Sequence, residues 1–117
     1  MVLREKRLHQ VFPTKDTSIE TKLQKQLESA GIFYRRHEPI IGQPDIYLPD
    51  GKVCIFADGC YWHGCHECFG YPNPKLSQWY RDFRVKNDLE LEGYKVIRIW
   101  EHDIRKKGFD VVKCINR

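Results

Sequence analysis

Cys60, Cys65 and Cys68 fall within nine residues at C-x4-C-x2-C spacing, in a stretch crowded with Gly, His and Pro that runs from Gly59 to Pro74. Such a stretch is too irregular to read as a helix or strand of its own. Three thiols brought this close supply most of a tetrahedral site for a structural zinc ion, which needs four soft or borderline ligands. The fourth ligand comes from elsewhere, with His63, His66, His102 and Cys114 as candidates. The chain holds five cysteines, an odd number, and its N-terminus, Met1 to Gln10, is charged and lacks the apolar block of an export signal. Both facts argue for metal ligation over a disulfide framework. Cys54, inside an apolar run, reads instead as a buried free thiol.

The 117 residues, 41% hydrophobic and 31% charged, suit one compact soluble domain and leave no room for a second. We expect a single domain over 1–117, with a short N-terminal arm at 1–13 and a metal and aromatic loop at 59–75. No stretch approaches the run of roughly 20 apolar residues needed to cross a bilayer. A cytosolic protein without a membrane partner is expected. The net charge of +4 permits a polyanionic partner without demanding one.

Thr17-Ser18-Ile19-Glu20 has the form of a capping box, and Ile19, Leu23, Leu27 and Ala30 recur at helical spacing until Gly31. Ile32 to His37, Pro44 to Leu48 and Val53 to Asp58 read as strands, the last two joined through Pro49-Asp50-Gly51 as a hairpin. Ser77 to Glu92 reads as a helix closed by Gly93, with Trp79, Tyr80, Phe83 and Leu89 as its expected buried contacts. Tyr94 to Trp100 is a strand, and Phe109 to Ile115 a terminal helical turn. This order suggests an α/β sandwich with a mixed sheet and a helical crossover before the last strand.

Acids on the hairpin carry the chemistry. A carboxylate is a poor strand former and loses hydration when buried, so Asp45 calls for compensation. A loop of two or four residues sets Asp45 opposite Phe56, and Asp58, two residues on, then projects from the same face, roughly 7 to 8 Å from Asp45 between backbones. That spacing suits a hard divalent cation with oxygen ligands. Glu20 has a complete structural role in the capping box, and it also flanks the apolar helix stripe, from where it could reach water at a metal. His63, five residues after Asp58, can face the carboxylates while the cysteines face the zinc, and a neutral imidazole there is a suitable general base.

Tyr61 and Trp62 are adjacent large aromatics in an irregular loop, hard to bury together. With Trp79 they could act as wedges between base pairs. Arg81, Arg84 and Lys86, with Arg105, Lys106 and Lys107, could meet phosphates.

The run Phe56-Ala57-Asp58-Gly59-Cys60-Tyr61-Trp62-His63-Gly64-Cys65, with Pro44-Asp45 upstream and Trp100-Glu101-His102 downstream, resembles the very-short-patch-repair mismatch endonucleases. Lys15-Asp16-Thr17 leading to Glu20 matches the N-terminal pattern of that family, and the similarity covers about residues 14 to 106. The resemblance implies a restriction-endonuclease-like three-layer core, a central mixed β-sheet flanked by helices and a zinc-stapled loop. It implies Asp45 as the central magnesium ligand with the backbone carbonyl of Ala57 as another, His63 activating the attacking water, and Glu20 orienting water at the metal. Cys60, Cys65, Cys68 and His102 would hold structural zinc, and Tyr61, Trp62 and Trp79 match aromatics inserted beside a mispair. The best-known members carry His where Asp58 stands, which leaves Asp58 as a further magnesium ligand. The helix before Gly93 is about two turns shorter than in those members, and the N-terminal arm is brief.

The implied activity is magnesium-dependent nicking of one strand of duplex DNA beside a base mismatch of the T:G type. The implied setting is a monomer in the nucleoid-associated cytoplasm of a prokaryote, with mismatch-repair proteins as partners. Two alternatives stand beside it. One is a homing-type or restriction-type endonuclease without mismatch specificity, and the other is a zinc-stapled DNA-binding module without catalysis. Two added acids weaken simple phosphate binding, which disfavours the last unless a metal neutralises them.

Overall fold

The structure is a computed structural model that describes residues 17–63, 65–69 and 76–117, with the backbone alone at His66 and Phe69. The N-terminal arm expected at 1–13, Lys15-Asp16 and the 70–75 portion of the loop lie outside the described residues. Helix α1 spans Ser18–Ser29. Strands β1 (Arg35–Arg36), β2 (Ile46–Leu48) and β3 (Val53–Asp58) follow. Two single-turn helices, α2 (Cys60–His63) and α3 (His66–Phe69), precede the long α4 (Leu76–Leu91). Strand β4 (Lys95–Trp100) leads directly into α5 (Glu101–Ile104), and α6 covers Val111–Ile115.

Helix α1 starts and stops for local reasons. The Thr17 hydroxyl accepts from the Glu20 amide at 3.3 Å and the Glu20 carboxylate accepts from the Thr17 amide at 3.4 Å, a reciprocal capping box. At the other end Gly31 takes φ +73°, and the Ile32 and Gly31 amides return to Leu27 and Glu28 carbonyls at 3.0 and 3.1 Å. This is a Schellman closure that a side chain at Gly31 would strain. Gly93 ends α4 in the same way, with φ +92° and the Tyr94 amide on the Leu89 carbonyl.

The sheet order is β1-β2-β3-β4, with β1·β2 and β2·β3 antiparallel and β3·β4 parallel. Hairpin pairs Ile46↔Ile55, Tyr47↔Cys54 and Leu48↔Val53 extend toward Asp45 opposite Phe56, the expected register. Parallel strands need a long crossover, which α4 supplies. The strand expected over Ile32 to His37 shrinks to Arg35–Arg36, because only Arg35 and Arg36 find partners on β2.

Alternation along β3 divides the core. Val53 and Ile55 face Ile19, Leu23 and Leu27 of α1 together with Ile104 and Val111, while Cys54 and Phe56 face Leu89 of α4. Helices therefore cover both faces, giving a three-layer mixed α/β fold, and a strand covered on both sides is apolar throughout. Gln26 of α1 fastens the C-terminal segment, accepting from the Val111 amide at 2.8 Å and donating to the Phe109 carbonyl at 2.7 Å.

Two expectations need correction. Tyr80 and Phe83 are 71% and 62% exposed, because the inward stripe of α4 runs through Val85 and Leu89, and residues two positions away lie on the far side of a helix. The 59–74 loop, read as lacking elements of its own, contains the single turns α2 and α3. Trp100, at the end of β4, is half-buried and lines a cleft.

Leu23 is fully buried between α1 and the sheet. Leu23→Ala should destabilise the protein by about 3 kcal/mol through lost transfer energy and a residual cavity. Urea unfolding followed by circular dichroism measures this.

Candidate active site and metal centre

Strands β3 and β4 run parallel, so their C-terminal ends coincide, with Asp58 registered against Trp100. The chain leaves β3 into α2 and leaves β4 into α5. Cys60 and His102 thereby meet although 42 residues apart, with Sγ to Nδ1 at 3.3 Å. The Sγ atoms of Cys65 and Cys68 stand 3.5 and 3.6 Å from the same nitrogen. The four ligand atoms all lie within 4.8 Å of one another. Burial pushes the Cys60 thiol up to about 12, so a cation is needed to hold it as thiolate. Three sulfurs and one imidazole nitrogen at this spacing suit a tetrahedral metal.

The surroundings are arranged for that use. His102 turns Nε2 toward Glu67 at 3.3 Å and Asp103 at 3.5 Å, the outer carboxylates that orient a ligating imidazole. Glu101 accepts from the Cys60 amide at 3.2 Å. The other candidate fourth ligands are placed elsewhere. Cys114 packs against the core with its thiol toward the Asp110 carbonyl, and His63 faces carboxylates, while the His66 side chain lies outside the described residues.

The carboxylates form two groups. Asp45 accepts from the Ala57 amide at 2.8 Å and shares a hydrogen bond with Glu20. Burial raises the Asp45 carboxyl, against the lowering effect of the Ala57 amide and of Glu20. Burial, and then the charge of Asp45, raise Glu20 from 4.5 to about 7. His37 Nε2 stands 3.9 Å from Glu20. Glu20 thus serves as helix cap and as partner of Asp45 together.

The second group surrounds His63. Its Nδ1 lies 2.7 Å from Asp82 Oδ2, and its Nε2 stands 3.7 Å from Asp58 Oδ1. Gln78 donates to the other oxygen of Asp82 at 2.8 Å, and the indole N–H of Trp79 donates to the His63 carbonyl. Arg98 donates to Asp58 at 2.9 Å. Burial raises Asp58, with Arg98 the main opposing influence. One cleft of about 340 Å³ adds Trp79 and Trp100 to Asp58, His63, Asp82 and Arg98. An adjoining cleft of about 320 Å³ is lined by the same four residues with Asp45, Ala57 and Arg81.

Asp45 and Asp58 thus open on one cleft, yet each is tied to a separate partner. Ala57 reaches Asp45 through its amide. Tyr61 and Trp62 are 55% and 70% exposed and pack edge to face at 5.3 Å. Trp79 is half-buried in the cleft wall.

Residues 3–69 match the family described as DNA mismatch endonuclease Vsr. The chain belongs to the Vsr family. It is a DNA endonuclease, and the four-stranded mixed sheet flanked by helices is the restriction-endonuclease-like core of that family. It is 33% identical over 106 residues to the type II nicking enzyme V.NmeAIP of Neisseria meningitidis, covering 81% of this chain and 75% of that one. It is 32% identical over 116 residues to the type II nicking enzyme V.XorIIP of Xanthomonas oryzae, covering 90% and 85%. With the DNA mismatch endonuclease Vsr of Escherichia coli it shares 31% over 103 residues, covering 79% of this chain and 65% of that one. Within this Vsr chain no described helix is long and apolar enough to cross a membrane.

Asp82, Arg98 and His37 escaped the sequence reading. Asp82 stands three residues before Val85 and seven before Leu89, an acid on the inward stripe of α4, and that was the available signal. Arg98 interrupts the apolar alternation of β4 on the face shared by Val96 and Trp100. Without the parallel pairing to β3, nothing tied it to Asp58.

In the protein free of divalent ions the raised Glu20 carboxyl makes the folded state bind more protons than the unfolded chain between pH 4.5 and about 7. Its contribution to stability is present below that window and is lost as pH rises through it. Wild type should lose on the order of 2 kcal/mol more than Glu20→Gln between pH 4.5 and 7.5. Glutamine keeps the capping box. Urea midpoints of both proteins across this range measure the difference.

Proposed function

We propose that this Vsr-family endonuclease nicks one strand of duplex DNA beside a mispaired base of the T:G type, with magnesium as catalytic cofactor and zinc as structural ion, acting as a single domain. The observation that carries the reading is the His63 imidazole held by Asp82 at 2.7 Å in a cleft that also exposes Asp45. A general base with an orienting carboxylate beside buried acids is the equipment of phosphodiester hydrolysis.

Asp45 and Glu20, with the Ala57 carbonyl, would hold magnesium. A cation there fits because two adjacent buried carboxylates are otherwise driven to keep a proton, and because all the donors are hard oxygens. Held there, magnesium supplies charge stabilisation to the phosphate and the departing oxygen. Asp58, expected as a further ligand, lies with His63 and Asp82 in a group that could hold a cation, and it also accepts from Arg98.

With Nδ1–H donated to Asp82, the Nε2 atom of His63 is the basic nitrogen. It takes a proton from water as the water oxygen attacks phosphorus in line. The opposite P–O bond breaks, and its electrons leave with the departing oxygen. Tyr61 and Trp62, projecting as an exposed edge-to-face pair, would enter the stack beside the mispair, where unstacking is easiest. Trp79, already bonded to the His63 carbonyl, would back that step from the cleft wall and link it to the base.

The soft ligand set of Cys60, Cys65, Cys68 and His102 favours zinc over magnesium. Relatives named as nicking enzymes and as a mismatch endonuclease support the two halves of the reading.

Duplexes carrying each mispair, and a perfectly paired control, should separate the possibilities when incubated with magnesium or with none. We expect nicks on one strand beside T:G, slow cutting of the paired control and none without magnesium. Equal cutting of all duplexes would remove mismatch specificity. Asp45→Ala should abolish nicking with the fold and zinc content intact, and retained nicking would refute the site. Cys65→Ser should lower bound zinc well below one per chain and reduce the melting temperature, measured by metal analysis and calorimetry.

A further inference from the structure

Arg98 is a partly buried cation with most of its donors unspent. Its Cζ lies 4.2 Å from the centroid of the Phe56 ring, and one terminal nitrogen donates to Asp58 at 2.9 Å. The other terminal nitrogen stands 3.7 Å from Asp82, beyond hydrogen-bonding reach, and the buried Nε has no partner among the described residues. A guanidinium carries five N–H donors, and leaving them unmatched away from water is unfavourable unless a ligand completes them. Phe56 and Asp58, adjacent on one face of β3, fix the group against the strand that carries both.

Arg98 lines both clefts that meet at Asp58, His63 and Asp82. A phosphodiester entering there approaches several carboxylates, which repel it, and a planar fork of donors is matched to two phosphate oxygens.

We infer that Arg98 is a further catalytic residue of this endonuclease, whose free guanidinium donors grip the non-bridging oxygens of the scissile phosphate beside His63. The inference rests on the nicking activity proposed above. Asp58 then acts as the positioning residue that keeps the guanidinium in place.

The test uses the full-length protein with Arg98→Ala and Arg98→Lys. Single-turnover nicking should fall about 100- to 1,000-fold in Arg98→Ala, the range seen when a preorganised charge-stabilising donor is removed. Added guanidinium ion should restore at least about tenfold of that loss, a rescue that a merely structural role would not allow. Without magnesium, wild type should bind a duplex with its native scissile phosphate more tightly than one bearing a neutral methylphosphonate there. Arg98→Ala should bind the two alike. Should Arg98→Ala fail to fold, Arg98→Lys carries the test, since lysine keeps the charge beside Asp58 but lacks the fork, and its rate should fall about tenfold or more. Arg98→Ala nicking within about threefold of wild type, Arg98→Lys nicking at the wild-type rate, or a folded Arg98→Ala that still discriminates the neutral phosphate would overturn the assignment. A wild-type protein that cuts no duplex overturns the nicking reading and this inference with it, whereas an active wild type with active Arg98 variants overturns the Arg98 assignment alone.

Discussion

The parallel pairing of β3 with β4 is the constraint on which the chemistry of this chain depends. Antiparallel neighbours would send the two chain exits to opposite ends of the sheet. Parallel ones bring Asp58 and Trp100 side by side, so α2 and α5 begin at one place. The thiol cluster closes across that gap, joining Cys60 and Cys65 to His102. The same pairing lays Arg98 against Phe56, from which it reaches Asp58. One strand alignment thus builds both the soft ligand set and the charged cleft.

These two sites stabilise each other through α2. Its four residues carry Cys60 at one end and His63 at the other, so a turn anchored by sulfur holds the imidazole beside its carboxylates. A short helical turn contributes little stability alone, because nucleation is unfavourable. Its order comes from its ends. Trp79 reinforces the arrangement from α4 by binding the His63 carbonyl, while Tyr61 and Trp62 stay exposed on the same turn.

Legibility in the sequence followed the range of the interactions. The capping box at Thr17 and Glu20, the glycine stops at Gly31 and Gly93 and the hairpin register were readable because each involves residues close along the chain. The expected burial of Tyr80 and Phe83 failed because apolar character was weighed above helical phase. Asp82 was legible in principle as an acid on the stripe of Val85 and Leu89, but its partner His63 sits 19 residues away. Arg98, 40 residues distant, was not legible as a partner of Asp58, since charge compensation between strands has no local signature.

By itself the sequence determined the local elements, the hairpin that turns Asp45 and Asp58 toward one side, and the cysteine spacing that suits a soft-ligand metal site. Periodicity, caps and turns act over a few residues, and those forces are written in order along the chain. Only the tertiary structure decided how the acids divide: Asp45 paired with Glu20, and Asp58 and Asp82 enclosing His63 and Arg98. Those partnerships depend on which charges burial forces together, and burial is a property of the packed sheet and its two helical layers.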